Sequence, residues 1–273
     1  MAFTILCLAT CFLAFSFLAR LAPCNPEQPR FDAAELRDDA LYWALSVILY
    51  GGVSTWLLHM GLSAALGAGA PHAERTILAG YGWAAALPLA AQCLIVLVLT
   101  DIAQYWLHRF FHGHAFWPLH AIHHSPVNVD WTTTFRVHPV QFLVYSAGVA
   151  ALIRTLGFSP MTYVVLAPFN LFMGAYVHAN LNWTHGPLKY VVASPVFHRW
   201  HHSSDPAVRD KNFAPTFPVL DLMFGTFHMP EGELPAGYGA EGVPNNILGQ
   251  MAYPFHAIAA RFRPDPGVGA PAA

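Results

Sequence analysis

Charge is scarce in this chain. Asp, Glu, Lys and Arg make up only 10% of its 273 residues, and 55% are hydrophobic. An ordinary soluble domain carries about 25% charged residues. With mean hydropathy at +0.41, too little polar side chain is left to cover a surface in water, and lipid is the expected cover instead. Basic blocks are also missing, and the formal net charge is −2. Nucleic acid is thereby excluded as a partner, because phosphate binding needs clustered Lys and Arg.

Glutamate is absent between Glu74 and Glu231. That gap removes H-E-x-x-H, in which Glu activates a zinc-bound water. It also removes the carboxylate-bridged di-iron pattern of helical bundles, which needs several Glu. The four cysteines, Cys7, Cys11, Cys24 and Cys93, form no C-x-x-C pair; they read as buried thiols rather than a zinc site or a disulfide framework. Gly67-Ala-Gly69 lacks the rest of a dinucleotide fingerprint.

What the chain has is long apolar runs and histidine. Apolar stretches cover Phe3–Ala19, Leu41–Leu66, Ala84–Leu107, Val140–Ile153 and Pro160–Leu181. A membrane span needs roughly 20 mostly apolar residues; the second, third and fifth qualify. The fourth fits a tilted span or half of a hairpin that leaves and returns to the same side. The first lacks the charged start and cleavage site of a signal peptide and reads as a membrane segment. The expected fold is all-α: a multi-pass bundle of four to five membrane segments with a cytosolic, histidine-rich helical cap. If a helix runs from Gly82 to His112, its length of about 46 Å exceeds the roughly 30 Å hydrocarbon core. Its last turns, bearing His108 and His112, then project into water. With the histidine side cytosolic, all but Arg75 and Arg154 of the 13 Lys and Arg lie inside, as the positive-inside tendency requires. Three parts are expected: residues 1–83 with N-terminal membrane segments, 84–230 with the histidine boxes, and a Pro/Gly-rich tail at 231–273. The last residues of that tail, PDPGVGAPAA, read as disordered.

Sixteen histidines occur, and most are patterned. His108 and His112 form H-x-x-x-H. His120, His123 and His124 form H-x-x-H-H, and His198, His201 and His202 repeat it. A random chain of this composition would hold about 0.05 copies of H-x-x-H-H, so two copies signal a shared task. On a helix, positions i, i+3 and i+4 share a face, so each box is expected to aim its imidazoles together. Imidazole suits Fe, Zn, Cu and Ni. Eight clustered histidines exceed the three or four ligands one metal takes from protein, so two metals fit better. If the task is oxygen activation the metal is iron, since zinc has no redox chemistry. His59, His72, His114, His185, His228 and His256 lack such patterns and read as structural or surface residues.

The order HRFFH, HAIHH, HRWHH resembles the fatty acid hydroxylase/sterol desaturase superfamily of integral membrane di-iron enzymes. DIAQYWLHR before the first box, FRVHP at Phe135–Pro139, VHANLNW at Val177–Trp183, SPVFHRWHHS at Ser194–Ser203, DKNFA at Asp210–Ala214 and LDLMFGTF at Leu220–Phe227 also match. The likeness covers roughly residues 87–230. It implies that the eight box histidines are metal ligands, with His178 as a ninth. A further family histidine is replaced here by Asn182, leaving that place to water or the Asn182 amide. His138 also recurs in the family pattern, as a ligand or as a residue behind the ligands; the acid often found three residues on is Gln141 here. Ligand imidazoles usually donate their other N–H to a carboxylate or carbonyl, and Asp101, Asp210, Asn212 and Asp221 are the candidates for that role.

The resemblance implies an O2-dependent hydroxylase or desaturase of a lipid, with two non-haem iron ions. Its electrons come from a separate protein such as a cytochrome b5, a ferredoxin or a reductase. Abundant Ala, with only Lys189 and Lys211 against many Arg, points to a bacterial inner membrane. The alternatives are a zinc-binding membrane hydrolase and a metal-binding structural or transport protein. The first wants a general base that is not there; the second wants histidines within the spans rather than beyond them.

Overall fold

The computed structural model describes residues 2–29, 32–66 and 80–261. The loop bearing His72 and the terminal PDPGVGAPAA lie outside the described residues. Among those described the chain is all helical, with one isolated bridge between Ser203 and Tyr238 in place of any sheet.

Helix α1 spans Ala2–Leu21 and α2 spans Ala33–Leu66. Asp32 starts α2 by accepting from the backbone N–H of Ala34 and Glu35, as a capping acid should. The third helix, α3, runs Leu89–His112, shorter than the Gly82–His112 span expected from sequence. The cause is Pro88: a residue before proline avoids the helical region, and Leu87 is extended at φ −90°, ψ 142°. Only a one-turn 3-10 segment, Ala84–Ala86, precedes it. At about 1.5 Å per residue, the 24 residues of α3 give about 36 Å. It is the one helix among the described residues long and apolar enough to cross a membrane.

After the one-turn α4 (Trp117–His120), α5 (Pro139–Thr155) and α6 (Met161–His178) form a hairpin. Its turn is locked where Tyr81 donates its N–H to the Gly157 carbonyl at 2.8 Å. Gly80 (φ +86°) allows this approach, since a Cβ there would lie 2.5 Å from that carbonyl oxygen. Short helices α7 (Pro195–His201) and α8 (Val219–Met223) and the longer α9 (Ile247–Ala260) complete the chain.

Two apolar clusters fix the histidine-bearing elements. Val96 of α3 packs with Val149, Ile153 and Phe158 of the hairpin. Phe15 of α1 packs with Tyr176 and Val177 of α6 and Val196, Phe197 and Trp200 around α7. Residues 231–261 close over the core: buried Gln250 accepts from the Tyr42 hydroxyl at 2.9 Å, and Arg261 donates to the His114 carbonyl. Cys11, Cys24 and Cys93 are buried thiols.

Candidate metal centre

Nine of the sequence-selected histidines converge into two groups. His108, His112, His120, His124 and His201 form one; His123, His178, His198 and His202 form the other. Within each group the available nitrogens lie within 4.8 Å of one another. The boxes do not each aim at one point as the shared-face argument expected; they divide. In the first box, i and i+4 (His120, His124) go to one group and i+3 (His123) to the other. In the second box, i and i+4 (His198, His202) go to the second group and i+3 (His201) to the first. The two groups abut, with the His124 and His202 rings stacked at 4.4 Å.

The chain orients these rings from behind. Nδ1 of His108 meets the Phe213 carbonyl at 2.8 Å, that of His201 the Lys211 carbonyl at 2.7 Å, and that of His123 the Arg136 carbonyl at 3.2 Å. His178 meets the Gly174 carbonyl at 2.6 Å, one turn back on α6, and His112 meets Asp210 at 2.8 Å. A carbonyl or an ionised carboxylate only accepts, so each of these rings carries its proton on Nδ1 and presents a bare Nε2 forward. His123 and His178 then face each other with bare Nε2 atoms 3.2 Å apart. Two lone pairs at that distance repel unless a cation lies between them.

The donor set therefore fits a metal. The Nε2–Nε2 separations are 2.9 and 3.2 Å in the first group and 3.0 to 3.2 Å in the second. Adjacent imidazoles on one ion at about 2.1 Å would be about 3.0 Å apart at a right angle. Nε2 of His112 and of His201 are buried without any hydrogen-bond partner. Burial, and then the neighbouring imidazoles, hold His120, His124, His198, His201 and His202 well below the usual histidine pKa, and burial does the same to His123. These rings are neutral, as metal ligation requires.

The remaining candidates fall in different places. Asp221 accepts from the backbone N–H of Phe213 and Ala214 and from the Thr226 hydroxyl, at 2.7 to 2.9 Å. Asn212 (φ +58°) accepts from His228 N–H and donates to the Phe197 and His228 carbonyls. Together they fix the 211–214 loop that supplies two of the orienting carbonyls. Asp101 reaches no imidazole; it accepts from Phe217 N–H at 3.0 Å and secures the next stretch of that loop. Asn182 is exposed and bonds Ala22 through its backbone. His138 stands outside both groups. As the first residue before α5 it accepts from Val140 N–H, and its Nε2 meets the Met251 carbonyl.

Two residues received no role from the sequence, Gln141 having been noted only where the family often has an acid. Gln141 contacts His120 Nδ1 through its side-chain amide, at 2.9 to 3.2 Å. Arg199, inside the second box, is fully buried and donates to Asn25, Gln28, Val129, His178 and Tyr238. Its position between two ligand-type histidines was the available signal.

A cavity of about 320 Å³ opens onto the histidines. His108, His123, His178 and His198 form one end, and α3, α5 and α6 form the walls.

The model of the fatty acid hydroxylase family matches residues 93–226. An ornithine lipid hydroxylase of Rhizobium tropici is 30% identical over 202 residues, 71% of this chain and 61% of that protein. An alkylglycerol monooxygenase of Caenorhabditis elegans is 33% identical over 169 residues, 60% of this chain and 32% of that protein. A delta(7)-sterol 5(6)-desaturase of Gibberella zeae is 28% identical over 138 residues, 50% of this chain and 38% of that protein. The chain thus spans between about a third and three fifths of these curated relatives. No solved structure matches.

Proposed function

The chain belongs to the fatty acid hydroxylase/sterol desaturase superfamily, and on that premise we propose that it is a membrane-embedded, non-haem di-iron oxygenase acting on a lipid. It hydroxylates or desaturates an unactivated C–H position, with dioxygen as co-substrate. The observation that carries this reading is the interleaved pair of neutral imidazole groups at one end of a cavity whose other end is mainly apolar. The first five-histidine group would hold one iron and the second, four-histidine group the other. A bound ferrous pair supplies dioxygen activation. Hydroxylation then consumes one C–H, one O2, two electrons and two protons and yields an alcohol and water. Desaturation removes two hydrogens instead. Ornithine lipid and alkylglycerol relatives favour hydroxylation.

The residues of this chain do the rest. Carbonyls of the 211–214 loop, of Arg136 and of Gly174 hold the ring tautomers. Walls from α3, α5 and α6 position an apolar chain and keep water from the reacting carbon. The outer surface of α3 is apolar: Leu94, Val98, Trp106 and Phe110 are exposed at one-turn or two-turn intervals, and Val164, Val165 and Phe172 of α6 are exposed too. A bilayer is the fitting solvent for such a surface. The chain is accordingly read as a multi-pass membrane protein with its histidine end cytosolic, in a bacterial inner membrane. Electrons arrive from a separate protein.

The test pairs lipid mass spectrometry with metal analysis, using cells that express wild type or His201→Ala beside the native electron donor. The expected result is two irons per wild-type chain and a lipid gaining one oxygen, or losing two hydrogens, only with wild type. His123→Ala should fail likewise while still inserting in the membrane. One tightly held zinc and no oxygen consumption would sink the reading.

A further inference from the structure

The cavity changes character along its length. On α3 its lining runs from Val96 and Leu97 through Asp101 and Gln104 to His108; on α6 it runs from Tyr163 and Leu166 through Asn170 to His178. Both helices run toward the histidines. Gln104 lies one turn before His108, about 6 Å along the axis, and Asn170 lies two turns before His178, about 12 Å. Beyond them, away from the histidines, the walls are mainly apolar, with Val96, Leu97 and Leu166 joined by Val149 and Ile153 from α5; the hydroxyls of Thr100 and Tyr163 are polar groups there, and Thr100 is bonded to the Val96 carbonyl. A band of side-chain amides thus separates the histidine end from an apolar end.

Those amides have nothing to bond. Among the described residues neither Gln104 nor Asn170 makes a side-chain hydrogen bond, whereas Asp101 in the same wall is engaged by Phe217. An unpaired amide inside apolar helices is costly where lipid replaces water. Asn170 is exposed while lining the cavity, so the cavity opens to the surroundings at the level of this band.

We propose that Gln104 and Asn170 bind the carbonyl linkage of an acyl lipid. This deepens the lipid-oxygenase reading and rests on it. The linkage accepts from the side-chain NH2 groups, and an amide linkage additionally donates its N–H to their carbonyls. The acyl tail lies along the apolar end, among Val96, Val149, Ile153 and Leu166. The part of the lipid that reaches the histidines is therefore on the head side of the linkage or within a few bonds of it. Oxidation falls there and not far down the tail. A sterol or an alkane, lacking a carbonyl, leaves the amides unpaired and is discriminated against.

The test uses the full chain in detergent micelles. Retention of three probes is measured by native mass spectrometry: an N-acyl amino acid lipid, a diacyl ester lipid and a dialkyl ether lipid. Gln104→Leu and Asn170→Leu should each lower retention of the two carbonyl lipids roughly 3- to 10-fold, the equivalent of one lost hydrogen bond. Ether-lipid retention and metal content should not change. Loss confined to the amide lipid identifies an amide linkage; equal loss for both identifies any acyl carbonyl. Independently of folding in the variants, fragmentation of the wild-type product should place the new oxygen, or the new double bond, within a few bonds of the linkage. Unchanged retention in both variants, or oxidation deep in the tail, overturns the proposal. An iron-loaded, reduced wild type that oxidises no lipid yet retains carbonyl lipids through Gln104 would overturn the oxygenase reading and leave this one standing.

Discussion

If the two histidine groups hold iron as proposed, replacing Asp221 by Asn should empty one of them before the other. The buried carboxylate accepts from Phe213 N–H and Thr226 at one oxygen and from Ala214 N–H at the other, 2.9 Å away. Asn keeps the first oxygen and turns an NH2 toward Ala214, so a buried donor then faces a donor. One lost bond with its orphaned partner costs about 1–3 kcal/mol. The loop so loosened carries the Lys211 and Phe213 carbonyls, which orient His201 and His108. Both belong to the first group, whereas in the second group His123 and His178 are oriented from Arg136 and Gly174. Loss of such an outer partner typically weakens metal affinity 10- to 100-fold. Stepwise dialysis against a chelator, followed by metal analysis, should show Asp221→Asn passing through a one-iron state at chelator concentrations where wild type holds two. If both metals leave together, or if neither is weakened while the melting temperature falls, the separate support of the two groups is wrong.

Other perturbations have equally defined outcomes. In metal-free protein the folded-state pKa of the six box histidines named above lies below the unfolded value near 6.5. The unfolded chain therefore binds more protons as pH falls through 6.5, and stability drops by up to about 1.4 kcal/mol per pH unit for each histidine involved; chemical denaturation between pH 7.5 and 5.5 would expose a flat profile if the rings were not buried neutral. Arg199→Ala removes a buried guanidinium that bonds the Val129 and His178 carbonyls and the Asn25 and Gln28 side chains, and should cost about 3–5 kcal/mol. Thermal unfolding within 2 °C of wild type would contradict that. Gln141→Leu should lower iron retention in the first group while sparing the second, because its amide contacts His120 alone among the nine histidines; equal loss from both groups would count against the assignment.

Eight of the nine converging histidines were legible from spacing, while His178 came only with the family resemblance; the helical class followed from apolar runs of membrane-span length. The boundaries of α3 were less so: Pro88 was in view, but its effect on Leu87 outweighs the apolar pattern that continues upstream. His138, left open from sequence as a ligand or a residue behind the ligands, lies outside both histidine groups and caps the start of α5. Orienting carbonyls are invisible in sequence, since any residue offers one. The division of each box between two groups, however, is latent in helical phase. At about 100° per residue, i+4 lies about 40° to one side of i and i+3 about 60° to the other. Treating all three as one face discards that angle. A single ion would need only i and i+4; a third histidine at i+3, diverging from i+4 by about 100°, is useful when a second centre lies beside the first. Two boxes that each supply two rings to one centre and one ring to the other tie the centres together, so neither group can be assembled without the fold that builds its neighbour.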